Sequence, residues 1–192
     1  MKSQKTESER SLIRQARRGD MQAFQALVEA YEKRVLSIAY QMTGDSEAAR
    51  DIAQEVFIRL YRFLSKYKPH KRFFTWLYRI TVNASYDYLK RERRFRSVPL
   101  DGLKYEPAGK IQHSETSEME MIVNQLLDYL STPQKTAFVL RETEGLSCTE
   151  IAKVMNCPCG TVRSYLFYAR KHLKKKIRSQ YPEFIEGCQY EV

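Results

Sequence analysis

The side chains best equipped for chemistry sit close together. Cys157 and Cys159 flank Pro158 in "MNCPCGTVRS" (155–164), Cys148 precedes them and His172 follows. Thiolates with an imidazole are zinc ligands, and a paired thiol supports redox exchange. The count argues against a metal. Cys-x-Cys with His172 supplies three ligands, a structural zinc site takes four, and the usual two-residue cysteine spacing is absent. The competing reading is a turn, with Pro158 and Gly160 shaping it and Cys157 and Cys159 as small residues. Cys148 then falls inside a helix cap as a half-buried residue. No carboxylates cluster as a thiol- or metal-dependent nuclease would need. The expectation is therefore no catalytic site, no metal and no cofactor.

The elements around this stretch decide between the readings. "STPQKTAFVLRETEG" opens with Ser131 or Thr132 as a cap and Pro133 in the first turn, and closes on Gly145. In "LSCTEIAKVM", Ser147 and Glu150 have the S-x-x-E spacing of a capping box. The segment from Asn156 to Cys159 is then a turn, and a long helix runs from about Thr161 to Ile177. A short helix, a tight turn and a long basic helix make a helix-turn-helix. On the long helix, Val162, Leu166, Ala169, Leu173 and Ile177 share one side. Arg163, Ser164, Phe167, Arg170, Lys171, Lys174 and Lys175 are left for solvent or DNA. No acid occurs from Thr161 to Arg178, so this side offers cations for phosphates and forked donors for base edges.

Composition agrees. The chain has 192 residues, 43% of them apolar, only seven glycines and a formal net charge of +10. Strong helix formers dominate, which predicts an all-α fold. A basic balance suits a polyanion. No apolar run approaches the ~20 residues that span a bilayer, and the first twenty residues lack a signal-peptide core. The expected location is the cytoplasm, with the cysteines as thiols.

The rest of the chain divides by pattern. Residues 1–20 are a basic segment. Residues 21–96 read as three helices. The first has an apolar stripe of Phe24, Leu27, Val28, Tyr31, Val35 and Ile38. Asp45 or Ser46 caps the second, 47–64. A loop at 65–72 holds Pro69, and a long helix follows it. Residues 97–118 carry two prolines and two glycines without periodicity and read as a flexible linker. Residues 119–178 form the second helical domain, beginning with Met119, Ile122, Leu126 and Tyr129 on one face. Residues 179–192, with Cys188, are a tail.

These motifs carry a resemblance. "LRETEGLS", "EIAKVM" and "GTVRS" are similar to region 4 of bacterial sigma-70 family sigma factors, most of all the small extracytoplasmic-function group. "AARDIAQEVFIRLYRF" resembles region 2.2, and "FFTWLYRITVNASYDYLKRERR" resembles regions 2.3 and 2.4. The resemblance implies a promoter-specificity subunit that binds core RNA polymerase, reads −35 and −10 DNA, and is held inactive by an anti-sigma factor. The alternative is a helix-turn-helix regulator acting without polymerase, although no dimerisation heptad or sensor motif is visible.

Roles follow by position. On helix 47–64, Ile52, Val56, Leu60 and Phe63 face one way. Asp51, Gln54, Glu55, Ile58 and Arg62 face another, and by resemblance bind the core enzyme. Lys66, Lys68, Lys71, Arg72 and Phe73 in and beside the loop supply charge and an aromatic ring for −10 DNA. Trp76 and Asn83 match the family's pattern, with Trp76 equally readable as core, and Lys90, Arg91, Arg93 and Arg94 meet phosphates. His70 reads as an exposed loop residue. Arg163, Ser164, Phe167, Arg170, Lys171, Lys174 and Lys175 form the −35 surface. Tyr165 and Tyr168 stand where family members often have arginine, and Tyr165 lies near the packed edge.

Overall fold

The computed structural model of the chain describes residues 2–67, 72–97 and 118–182. Pro69, His70, Lys68, Lys71, Cys188, nearly all of the expected linker, and the expected tail after residue 182 lie outside these residues. Among the described residues there are eight α-helices, one 3-10 turn and no strand. The chain divides into two compact units, 1–99 and 100–192.

The first unit holds α1 (Lys2–Arg17), α2 (Met21–Thr43), α3 (Ser46–Phe63), a 3-10 turn (Leu64–Lys66) and α4 (Phe73–Ser97). Capping sets the boundaries. Asp20 accepts from the Gln22 and Ala23 amides at 2.9 and 3.0 Å, and Asp45 accepts from the Glu47 amide at 2.8 Å. Each supplies an acceptor to N–H groups that have none inside their helix. Gly44, at φ +73°, ends α2 with its amide on the Tyr40 carbonyl. The buried stripes are Leu27, Tyr31, Val35, Ile38 and Met42 on α2, Ile52, Val56 and Leu60 on α3, and Leu77, Tyr78 and Val82 on α4. Phe24 and Val28 lie half-buried at the margin of the α2 stripe. Thr81 and Ser85 are buried on α4, and each hydroxyl donates to a carbonyl one turn earlier, so neither is left unsatisfied.

Two sequence readings change here. The first residues are not merely a basic segment: they form α1, which buries Ile13 and Ala16 and whose Glu9 accepts from the Tyr31 hydroxyl. Phe63 does not continue the core stripe. It ends α3, is exposed, and Lys66 Nζ lies 5.3 Å from its ring centroid.

The second unit holds α5 (Glu118–Leu127), α6 (Thr132–Glu142), α7 (Cys148–Met155) and α8 (Cys159–Gln180). Ser131 is the N-cap of α6, with Pro133 in the first turn. Gly145, at φ +64°, turns the chain so that the Leu146 amide returns to the Leu140 carbonyl. The capping box on α7 is formed: the Glu150 amide donates to Ser147 Oγ at 3.3 Å, and the Ser147 amide to Glu150 Oε2 at 2.9 Å. Asn156 adopts the left-handed conformation, φ 52° and ψ 49°, and closes α7. Pro158 caps α8, which starts at Cys159, so Cys159 and Gly160 belong to the helix and not to the turn.

The face expected on α5 is not the buried one. Asn124, Leu127 and Leu130 are buried, whereas Met119 and Tyr129 are exposed and α5 ends before Tyr129. Lys135 on α6 is buried and pairs with Asp128 at 3.0 Å, a desolvated charge that needs this partner.

Candidate protein and nucleic-acid interfaces

On α3, the expected core-binding residues occupy one exposed face but serve two depressions. Gln54, Ile58 and Arg62 line a groove of about 670 Å³ against α2, together with Met21, Phe24 and Tyr61. Ile58 is 45% exposed, and Tyr61 and Met21 are exposed beside it. Phe24 and Tyr61 meet edge to face at 5.1 Å. Asp51 and Glu55 line a smaller cleft against α4 with Tyr88, Arg91 and Phe95. Arg59 holds Glu55 at 2.5 Å and lies 3.7 Å from Asp87 of α4. An apolar centre flanked by oriented charge is the anatomy of a protein interface. The part that Met21 and Phe24 of α2 play beside Ile58 escaped the sequence reading, because they lie on a different helix.

Around the loop at 65–72 the expected residues separate. Lys66 and Arg72 are exposed, and Arg72 lies over the Phe74 ring at 5.9 Å. Phe73 is 3% exposed and packs on Tyr31 and Tyr67 at 5.4 and 5.5 Å. The expectation that it stacks on DNA is corrected: as the first residue of α4, its ring turns back toward the core. Trp76 is half-buried against Tyr67, 5.3 Å between centroids. Asn83 is exposed, as are Lys90, Arg91, Arg93 and Arg94 along the last turns of α4. Burial pushes the Tyr67 phenol up, and Glu9 adds to that. Arg10 and Arg17 oppose it, which places cations of α1 beside this loop.

In the second unit, Val162, Leu166, Ala169 and Leu173 are buried, with Ile177 half-buried. That leaves Arg163, Ser164, Phe167, Arg170, Lys171, Lys174 and Lys175 exposed. Phe167, 62% exposed, meets Tyr168 at 5.4 Å. Tyr165 is half-buried. Two candidates are less available than their type suggests. Ser164 donates to the Gly160 carbonyl at 3.2 Å, and Arg170 pairs with Glu142 of α6 at 3.0 Å. Lys171, Lys174 and Lys175 line a shallow depression of about 380 Å³ with Arg178, which the sequence reading left out, and Ser179.

Of the cysteines, Cys157 lies in the turn as expected and Cys148 opens α7, whereas Cys159 opens α8. Cys148, Cys157 and Cys159 are free and half-buried. Burial, and then Cys159, pushes the Cys157 thiol up, which disfavours its thiolate. His172 lies on the exposed side of α8 beside Tyr168. Among the described residues, no group of three or more metal-ligating side chains comes together.

Comparison with known proteins bears on these surfaces. Residues 27–95 match the family model for sigma-70 region 2, and residues 120–173 match that for sigma-70 region 4. The chain is 36% identical over 183 residues to the RNA polymerase sigma-H factor of Pseudomonas aeruginosa, covering 90% of this chain and 95% of that one. It is 36% identical over 180 residues to the ECF RNA polymerase sigma-E factor of Escherichia coli K12, covering 87% and 93%. Among solved structures, CnrH in complex with the cytosolic domain of CnrY has a similar fold: TM-score 0.70 at 22% identity, over 90% of this chain and 99% of that one.

Proposed function

The chain belongs to the sigma-70 family, in its extracytoplasmic-function group, and from that premise we propose how its surfaces divide the work of starting transcription. It binds core RNA polymerase and directs it to promoters. The exposed face of α3, with Asp51, Gln54, Glu55, Ile58 and Arg62, docks on the core enzyme. Ile58 and the aromatic residues of the α2 groove supply apolar burial, and the charged residues fix register.

The second unit reads the −35 element through α8. Its N-terminal turns carry Arg163 and Phe167 toward base edges, and Lys171, Lys174 and Lys175 lie along phosphates. The first unit engages the −10 element through Lys66, Arg72, Trp76 and Asn83, with Lys90, Arg91, Arg93 and Arg94 on the flanking backbone. The aromatic packing of Tyr67, Phe73 and Trp76 anchors both ends of the 65–72 segment. The protein contributes binding and no catalytic chemistry, works in the cytoplasm beside the polymerase, and is held in reserve by an anti-sigma factor. Among the described residues, no helix is long and apolar enough to cross a membrane.

The observation that carries this reading is the pair of matched regions in order on one chain, with an acid-free exposed face on α8. Run-off transcription with core polymerase, followed by mapping of transcript starts, tests it. Specific starts preceded by shared −35 and −10 sequences are the expected result. DNA binding without any core-dependent start would instead mean a regulator that acts alone.

A further inference from the structure

Helix α1 lies before both matched regions, the first of which begins at residue 27. Its exposed side is nonetheless organised. At 100° per residue, Arg10, Arg14 and Arg17 fall within about 60° of one another and span about 10 Å along the axis. The stripe flanks the buried side formed by Ile13 and Ala16. Arg17 fixes where it points. Its Nη2 donates to the Ser65 carbonyl at 3.2 Å, at the entrance of the 65–72 loop. Tyr67 lies within electrostatic reach of both Arg10 and Arg17. Lys66, in the same 3-10 turn as Ser65, is exposed. Arg10 and Arg14 are exposed, and among the described residues neither is ion-paired.

Arg17 makes a contact within the fold, but Arg10 and Arg14 make no such contact among the described residues, and the mutual repulsion of the three cations is unfavourable. With exposed Lys66 they lie at the start of the segment that the proposed function assigns to the −10 element. We propose that the Arg10–Arg14–Arg17 stripe of α1 binds DNA phosphates flanking the −10 element, extending the cationic surface that begins at Lys66. This inference rests on the −10 assignment above. Arg17 serves as a positioning residue as well as a cation, because it ties α1 to the loop entrance. Arg10 and Arg14 bind the phosphates directly.

The test uses holoenzyme with the full chain and a labelled promoter fragment taken from the mapped starts, in a fully paired form and in a form with an unpaired −10 bubble. Affinity is measured across a series of salt concentrations for wild type, Arg10→Ala/Arg14→Ala and Arg10→Lys/Arg14→Lys, with core affinity and circular dichroism measured in parallel. Every phosphate that the protein no longer neutralises lowers the salt slope by about 0.7 on single strands and about 0.9 on duplex. The alanine pair is expected to lower it by about 1.4 on the bubble if the phosphates belong to an opened strand. A drop of about 1.8 on paired DNA identifies duplex phosphates and supports the proposal equally. The lysine pair is expected to restore the wild-type slope. An unchanged slope in the alanine pair overturns the proposal, as does a loss of core affinity that accounts for the whole effect. If wild type itself initiates at no specific start, the proposed function fails first. Specific starts with an unchanged slope sink only the α1 assignment.

Discussion

Truncating Ile58 separates recognition from folding. Ile58 is 45% exposed at the centre of the α3 face, so Ile58→Ala leaves no cavity in the free protein. An isoleucine presents roughly 180 Å² when fully exposed, so about 80 Å² remains for a partner to cover, worth about 2 kcal/mol at 25 cal/mol/Å². Alanine removes three of the four side-chain carbons, so the expected loss is about 1.5 kcal/mol, or roughly tenfold in Kd for core polymerase. Competition for core against a labelled wild-type chain measures it, with thermal melting in parallel. The comparison is Ile52→Ala on the same helix, where the side chain is 2% exposed. That change should cost about 2–5 kcal/mol of stability. An Ile58→Ala chain that melts normally and competes within about twofold of wild type would refute the assignment of this face to the core enzyme.

Arg163→Ala is expected to cost about 1–3 kcal/mol and relax base preference at one or two −35 positions, whereas Lys174→Ala should weaken all variants alike and lower the salt slope by about one. Holoenzyme affinity for a panel of −35 variants at several salts checks both, and the opposite pattern would mean a different docking. Asn156→Ala should lower the stability of the second unit by about 1 kcal/mol, because alanine keeps the Cβ strain of the left-handed conformation and lacks the short polar side chain that offsets it in asparagine. Asn156→Gly should cost far less, and a thermal melt distinguishes them. Replacing all four cysteines by serine should leave core-dependent transcription largely intact. Stoichiometric zinc in the purified protein, with unfolding on chelation, would contradict that expectation.

Much of the fold was legible because several helices announce their ends locally. Asp45, Ser147 with Glu150, and Gly145 set boundaries through contacts within a few residues. The exposed faces of α3 and α8 were legible because both helices are long enough for a stripe to repeat. Failures came where position depends on distant neighbours. Phe63 and Phe73 each sit at a helix end, where periodicity says nothing about the ring's direction. Tyr31 and Tyr67 draw Phe73 inward, and Phe63 finds no such neighbours. Lys135 reads as an ordinary surface lysine, because nothing in its own helix signals that Asp128 waits seven residues earlier. Helix α1 was missed because charge masks its apolar positions: Ile13 and Ala16 are too few to set a period. Pairing of Arg170 with Glu142 across twenty-eight residues was equally invisible.

The position of α1 at the edge of the first unit, packed on α2 and the 3-10 turn, has a consequence for that unit's motions. Among the described residues it buries Ile13 and Ala16, the Tyr31 hydroxyl donates to its Glu9, and the Arg17 Nε is buried without a hydrogen-bond partner. Releasing α1 uncovers Ile13 and Ala16 but returns that nitrogen to water. Releasing α2 or α3 breaks the central packing. Native-state opening therefore has two levels in this unit. The backbone amides of α1 are expected to exchange with solvent at a lower opening free energy than those of Val35 and Val56, which sit at the centre of the bundle.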